Sequence, residues 1–175
     1  MKKRQLPIGV LVSGSGSNLQ SIIDRIEEGK LDAAIKIVIS NVSGVFALER
    51  ARKHGIPVEV IEHKAYPNRE SFDRVMVEIL RAHGVELVVM AGFMRVLTPY
   101  FLRSFPMKIM NIHPALLPAF PGIHVQKKAV EYGVKFSGCT VHFADEGVDT
   151  GPIIIQAVVP VLDSDTEESL AARIL

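Results

Sequence analysis

The feature that most restricts this fold is a repeated change of period. Short apolar runs rich in β-branched residues alternate with segments whose apolar residues recur every three or four positions. Such alternation calls for successive βα units around a mostly parallel sheet. The expected strands are Ile8–Val12, Ile35–Ile39, Val58–Ile61, Leu87–Ala91 and Ile109–His113. Leu19, Ile22, Ile23 and Ile26 make one helical stripe, and Phe72, Val75, Met76, Ile79 and Leu80 make a second, the clearest in the chain. Gly29, Gly55, Gly84 and Gly133 fall where helices should stop. The expectation is a doubly wound, Rossmann-like α/β fold in a single domain.

Past His113 the pattern changes. Pro114, Pro118, Pro121 and Gly122 impose a long irregular loop, followed by a short helix near Val125–Tyr132 and two more strands, about Ser137–Phe143 and Ile153–Val161. Asp165 and Thr166 then offer a helix start, with Glu167 and Glu168 in the favourable first turn. Leu170, Ile174 and Leu175 begin an apolar face that stops mid-pattern: either the helix is short, or a C-terminal segment is expected beyond residue 175.

Composition narrows the function classes. Twenty Lys and Arg against 19 Asp and Glu give a net charge of +1, which argues against nucleic acid held by bulk charge. One cysteine, Cys139, forms no internal disulfide, in keeping with a reducing cytoplasm. The longest apolar run, Leu87–Met94, is far short of the ~20 residues of a membrane span. The start imitates a signal peptide, but Pro7 and Gly9 interrupt its short apolar run and no cleavage pattern follows. It reads as a buried strand behind a solvated leader of Lys2, Lys3 and Arg4.

Four segments could carry chemistry. Ser13-Gly-Ser-Gly-Ser-Asn18 lies between the first strand and a helix, where backbone N–H groups can cradle a phosphate. It lacks the third glycine of a dinucleotide fingerprint, and Ser40-Asn41 ends the second strand without a ribose-holding acid. One phosphate is the functional expectation; a tight turn capped by Ser17 or Asn18 is the structural one. Asn111-Ile-His113 ends the fifth strand, and strand alternation puts Asn111 and His113 on one face. An amide and an imidazole aimed at one atom suit attack of an amine on a carbonyl, although loop carbonyls could equally satisfy both. In the turn 145–151, Asp145, Glu146 and Asp149 all qualify as a carboxylate beside the histidine, and spacing does not choose among them. Ala91-Gly-Phe-Met-Arg-Val-Leu97 follows the fourth strand and could form a slot for a flat heterocycle, or simply a hydrophobic turn. His142 alternates with Thr140 and either borders the site or sits satisfied in the sheet. His54 and His83, beside helix-ending glycines, are explained by a C-terminal dipole position. No serine-hydrolase elbow and no metal-binding spacing is present.

Asn111-Ile-His-Pro-Ala-Leu-Leu-Pro118 closely resembles the folate-dependent formyltransferases. The resemblance runs from Ile8 to the end, through Gly14-Ser-Gly-Ser-Asn-Leu-Gln20, Leu48-Glu-Arg-Ala-Arg52, Ala91–Leu97 and Asp149-Thr-Gly-Pro152. It implies Asn111, His113 and Asp149 as a catalytic trio and Gly16, Ser17 and Asn18 as the grip on a ribonucleotide phosphate. Arg69, Met94, Arg95, Val96, Leu97, Asn111, Asp145 and Glu146 would face the folate. The reaction implied is direct transfer of the formyl group of 10-formyltetrahydrofolate to the amine of 5′-phosphoribosylglycinamide, for purine synthesis. His113 would serve the oxyanion and the leaving nitrogen, Asn111 would share the oxyanion, and Asp149 would favour the charged imidazole. The resemblance requires no metal, nucleic acid or membrane, and implies a cytoplasmic monomer or weak homodimer. Ala115 stands where members of the family commonly have Ser. Formyltetrahydrofolate deformylases and methionyl-tRNA formyltransferases share the trio but add domains, and an inactive folate- or nucleotide-binding module is the reading from another class.

Overall fold

A computed structural model describes residues 4–175; Lys2 and Lys3 of the expected leader lie outside the described residues, and Arg4 pairs with Glu86. The chain resolves into two compact units, Met1–Ile109 and Met110–Leu175.

In the first unit, strands β1 (Leu6–Val12), β2 (Ala33–Ser40), β3 (Val58–Val60) and β4 (Leu87–Met90) run parallel in the order β3-β2-β1-β4. Helices α1 (Ser17–Glu27), α2 (Phe46–Lys53), α3 (Arg69–Ala82) and α4 (Pro99–Ser104) join them, with a 3-10 turn at His63–Ala65. β1 shows why its sequence is apolar throughout. Ile8, Val10 and Val12 pack with Leu19 and Ile23 of α1 and Ala47 and Ala51 of α2. On the opposite face a Cβ placed on Gly9 would stand 2.4 Å from Leu80 Cδ2 of α3. A strand covered on both faces cannot alternate apolar with polar. Each fully buried Leu or Ile of these stripes contributes about 1.5–3 kcal/mol by leaving water.

α3 starts where Asn68 accepts the Ser71 N–H at 2.8 Å and buries Phe72, Met76, Val77 and Leu80. The same face buries Asp73, whose Oδ2 accepts from both the N–H and the hydroxyl of Thr98 at 2.7 Å. Burial pushes that carboxyl above its ordinary range, against the pull of the Thr98 hydrogen bonds. The bond ties α3 to the far end of the loop that follows β4.

In the second unit, β5 (Ile109–His113), which begins at the boundary, pairs antiparallel with β6 (Phe136–Phe143), and β6 with β7 (Ile153–Pro160). Helices α5 (Val125–Tyr132) and α6 (Glu167–Ile174) contact each other. The apolar composition of β7 suggests burial, yet seven of its eight residues are exposed. Thr166 caps α6 in a reciprocal pair with Ser169, the Thr166 N–H reaching Ser169 Oγ at 2.9 Å. Asp165 receives a forked contact from Arg173, at 2.5 and 2.8 Å.

Arg173 holds the Asp165 carboxyl well below the usual carboxylate range. A carboxylate depressed in the native state stabilises the fold above its unfolded pKa, and the contribution fades as pH falls toward the native value. Asp165→Asn is therefore expected to lower the urea midpoint at pH 7, and the gap to the parent should narrow at pH 2. A gap that stays constant with pH would show that the charge of Asp165 contributes nothing.

Candidate active site

The second unit gathers titratable side chains on β5, β6 and the turn before β7. Alternation along β5 carries Asn111 and His113 toward the same acid. His113 Nδ1 lies 3.4 Å from Asp149 Oδ2, and Asn111 Nδ2 lies 3.5 Å from Asp149 Oδ1. His142, opposite Asn111 in the β5–β6 register, places its Nε2 3.1 Å from Asn111 Nδ2 and 3.7 Å from Asp149 Oδ1. The two imidazoles are almost fully buried, and the Asp149 side chain is 11% exposed. Asp149 reaches them from a left-handed backbone, φ 57°, a conformation aspartate tolerates better than most residues, and its Oδ2 accepts the Gly122 N–H at 2.9 Å.

Hydrogen-bond direction sets what each ring can do. His142 Nδ1 lies 3.0 Å from the Phe143 carbonyl, so it is the protonated nitrogen and Nε2 is left to accept from the Asn111 amide. That fixes the Asn111 side chain with its NH₂ toward the acid and the second histidine. His113 Nε2 lies 2.8 Å from the Phe120 carbonyl and donates to it. Asp149 Oδ2 stands at Nδ1, so the ring lies between a carboxylate on one edge and the Phe120 carbonyl on the other. An imidazole so held can hand a proton to an oxygen that takes the place of the Phe120 carbonyl.

The loop after β5 is pinned from β6. Thr140 Oγ donates to the Ala115 carbonyl at 2.7 Å and accepts the Leu117 N–H at 3.0 Å, while Gln156 Nε2 bonds both Thr140 Oγ and the Leu117 carbonyl. Of the three acids in the turn, Asp149 joins the cluster. Asp145 closes its own turn, accepting from the Gly147 N–H and the Thr150 hydroxyl at 3.1 and 2.7 Å, and Glu146 is exposed.

The first unit holds the other expected positions in two groups. At the start of α1 the cap is Gly16, with φ 72°, and it offers no side-chain acceptor. This corrects the expectation of a cap from Ser17 or Asn18. The first-turn N–H groups of α1 are thus left without a side-chain cap, the polarity an anion needs. A Cβ on Gly16 would stand 2.6 Å from Ala47 Cβ, and the Ala47 N–H donates to the Gly14 carbonyl at 3.1 Å, so α2 presses on the bend. Arg50 Nε holds the Ser15 carbonyl at 3.0 Å.

In the second group, Arg69 Nη2 donates to the Val96 carbonyl at 2.6 Å. Met94 and Val96 are exposed, Leu97 is buried, and Arg95 lies over the Phe72 ring at 5.3 Å. An exposed apolar edge with a fixed backbone and two guanidinium groups beside it suits a flat ring with an acidic tail. Among the described residues no group of three or more His, Cys, Asp or Glu is arranged to hold a metal ion. No helix among them is long and apolar enough to cross a membrane.

The formyl transferase family model matches residues 6–175, and so runs through both units. The chain belongs to the formyl transferase family. The glycinamide ribonucleotide transformylase 1 of Symbiobacterium toebii is 50% identical, with a TM-score of 0.96 over 99% of this chain and 82% of that one. A likeness of that size gives this member of the family the doubly wound, mostly parallel α/β fold expected of it. The phosphoribosylglycinamide formyltransferase of Escherichia coli is 42% identical over 95% of this chain and 79% of its own. The trifunctional purine biosynthetic protein adenosine-3 of Drosophila pseudoobscura is 53% identical over 95% of this chain, which spans about an eighth (12%) of that relative.

Sequence reasoning left His142 undecided and missed the Phe120 carbonyl. Alternation of His142 with Thr140 was the signal available for the first; the second depends on a loop fold that no periodic pattern announces.

Proposed function

We propose that this chain transfers the formyl group of 10-formyltetrahydrofolate to the amine of 5′-phosphoribosylglycinamide, a step of purine synthesis. The observation that carries the reading is the buried cluster of Asn111, His113 and Asp149, supported by the names of the bacterial relatives and solved structures matched over most of their length. The substrate amine attacks the formyl carbon, whose oxygen becomes an oxyanion. His113 Nε2–H, which now meets the Phe120 carbonyl, and the Asn111 N–H that now reaches Asp149 Oδ1 at 3.5 Å turn to that oxygen and stabilise it. The amine loses a proton, the departing folate nitrogen gains one as the carbon–nitrogen bond breaks, and His113 with Asp149 carries the exchange.

Gly16, Ser17 and Asn18 hold the ribonucleotide phosphate on backbone N–H groups. Arg69, Met94, Arg95, Val96 and Leu97 from the first unit, and Asn111, Asp145 and Glu146 from the second, face the folate. Both molecules are substrates that leave after each turnover, and the residues named call for no resident metal. The reaction belongs to the cytoplasm, a reading supported by the single cysteine, Cys139, and to a monomer or weak homodimer.

The test is the rate of tetrahydrofolate formation from 10-formyltetrahydrofolate with and without glycinamide ribonucleotide. Turnover that requires the ribonucleotide supports the reading. Equal turnover without it identifies a deformylase, and binding without turnover a folate- or nucleotide-binding module.

A further inference from the structure

We propose that Ser13 is a positioning residue for the folate side: its hydroxyl sets the backbone of the loop after β4 from the end of β1. The inference rests on the reading that residues 94–97 face the folate. Three bonds leave this one residue. Its N–H donates to the Gly92 carbonyl at 3.1 Å, its Oγ accepts the Met94 N–H at 2.9 Å, and its hydroxyl proton goes to Asn41 Oδ1 at 2.6 Å. The direction is forced, because a backbone N–H only donates and a carboxamide oxygen only accepts.

Polarity then propagates outward. With Oδ1 taken by Ser13, Asn41 turns its NH₂ toward His63 Nδ1, 3.4 Å away. Asn41 is 5% exposed, so the chain of bonds ends on a fixed buried amide at the end of β2 rather than on water. The loop is gripped elsewhere by Arg69 at the Val96 carbonyl and by Asp73 at Thr98. Those grips act past Met94 and leave the first half of the loop to other contacts. Ser13 closes that half, and it does so from the residue that opens the anion-binding bend. Alanine at 13 leaves the Met94 N–H without its partner and frees the segment whose backbone the folate would meet.

The test compares Ser13→Ala, Ser13→Thr and Val96→Lys in the full chain. It reads Kd for tetrahydrofolate and for glycinamide ribonucleotide by calorimetry, and hydrogen exchange at the Met94 amide by NMR. Ser13→Ala should speed Met94 exchange about tenfold and weaken tetrahydrofolate about three- to tenfold, the worth of one neutral hydrogen bond, with the ribonucleotide within about twofold. Ser13→Thr, which keeps the hydroxyl, should restore both. Equal weakening of both ligands by Ser13→Ala would overturn the proposal, since it reports general damage. Unchanged tetrahydrofolate affinity in Ser13→Ala, with a clear loss in Val96→Lys, would overturn it while the folate-loop reading stands. If Val96→Lys also leaves tetrahydrofolate binding intact, that reading fails and the proposal falls with it.

Discussion

A His113→Asn variant is expected to lose about 10²–10⁴-fold in kcat, the range that positioned proton transfer supplies, with both KM values nearly unchanged. This corresponds to about 2.7–5.5 kcal/mol of transition-state stabilisation. Asparagine places its amide where the Nδ1 edge of the ring lies, within reach of Asp149 and short of the Phe120 carbonyl, and it cannot carry a proton between the amine and the folate nitrogen. The loss should fall on the chemical step, because the imidazole is buried between Asp149 and the Phe120 carbonyl and the proposed mechanism gives it the oxyanion and the proton exchange, with no part in holding a substrate's distal groups. Steady-state kinetics with both substrates checks this. A kcat within threefold of the parent would remove His113 from the proton path.

Gly16→Val carries the second largest effect. The residue sits at φ 72° with Ala47 Cβ 2.6 Å from where its own Cβ would stand, so any side chain must shift α2 or unwind the bend. The left-handed backbone alone costs a β-branched residue about 1–2 kcal/mol, and the collision adds to it. The N–H groups of Ser17 and Asn18 turn with the bend. Glycinamide ribonucleotide should bind at least about tenfold more weakly, while tetrahydrofolate is affected far less. Calorimetry with each ligand separates the two, and an unchanged ribonucleotide affinity would move the phosphate grip elsewhere.

The fold was largely legible because its elements are strongly periodic. β5 and α5 have the expected bounds, and the other expected strands differ by one or two residues at an end. Gly29, Gly55, Gly84 and Gly133 all have positive φ. α4 escaped notice at six residues, too short for a stripe to show, and the exposure of β7 contradicts its apolar composition. In the site, strand alternation alone paired Asn111 with His113. It could not single out Asp149, whose choice depends on a left-handed backbone and the Gly122 N–H, both consequences of tertiary structure. The structural alternative for the bend before α1, a cap from Ser17 or Asn18, fails for a related reason: Gly16 holds the position because Ala47 leaves room for nothing larger, a contact 31 residues away in sequence.

The central claim is that the one-carbon unit passes straight from folate nitrogen to substrate amine. The most direct measurement supplies 10-formyltetrahydrofolate labelled with ¹³C in the formyl group, together with glycinamide ribonucleotide, and follows the label by NMR. The account predicts that the label appears on the ribonucleotide as an N-formyl group, with no free formate accumulating beforehand. Label released as formate at the same rate whether or not the amine is present would contradict it.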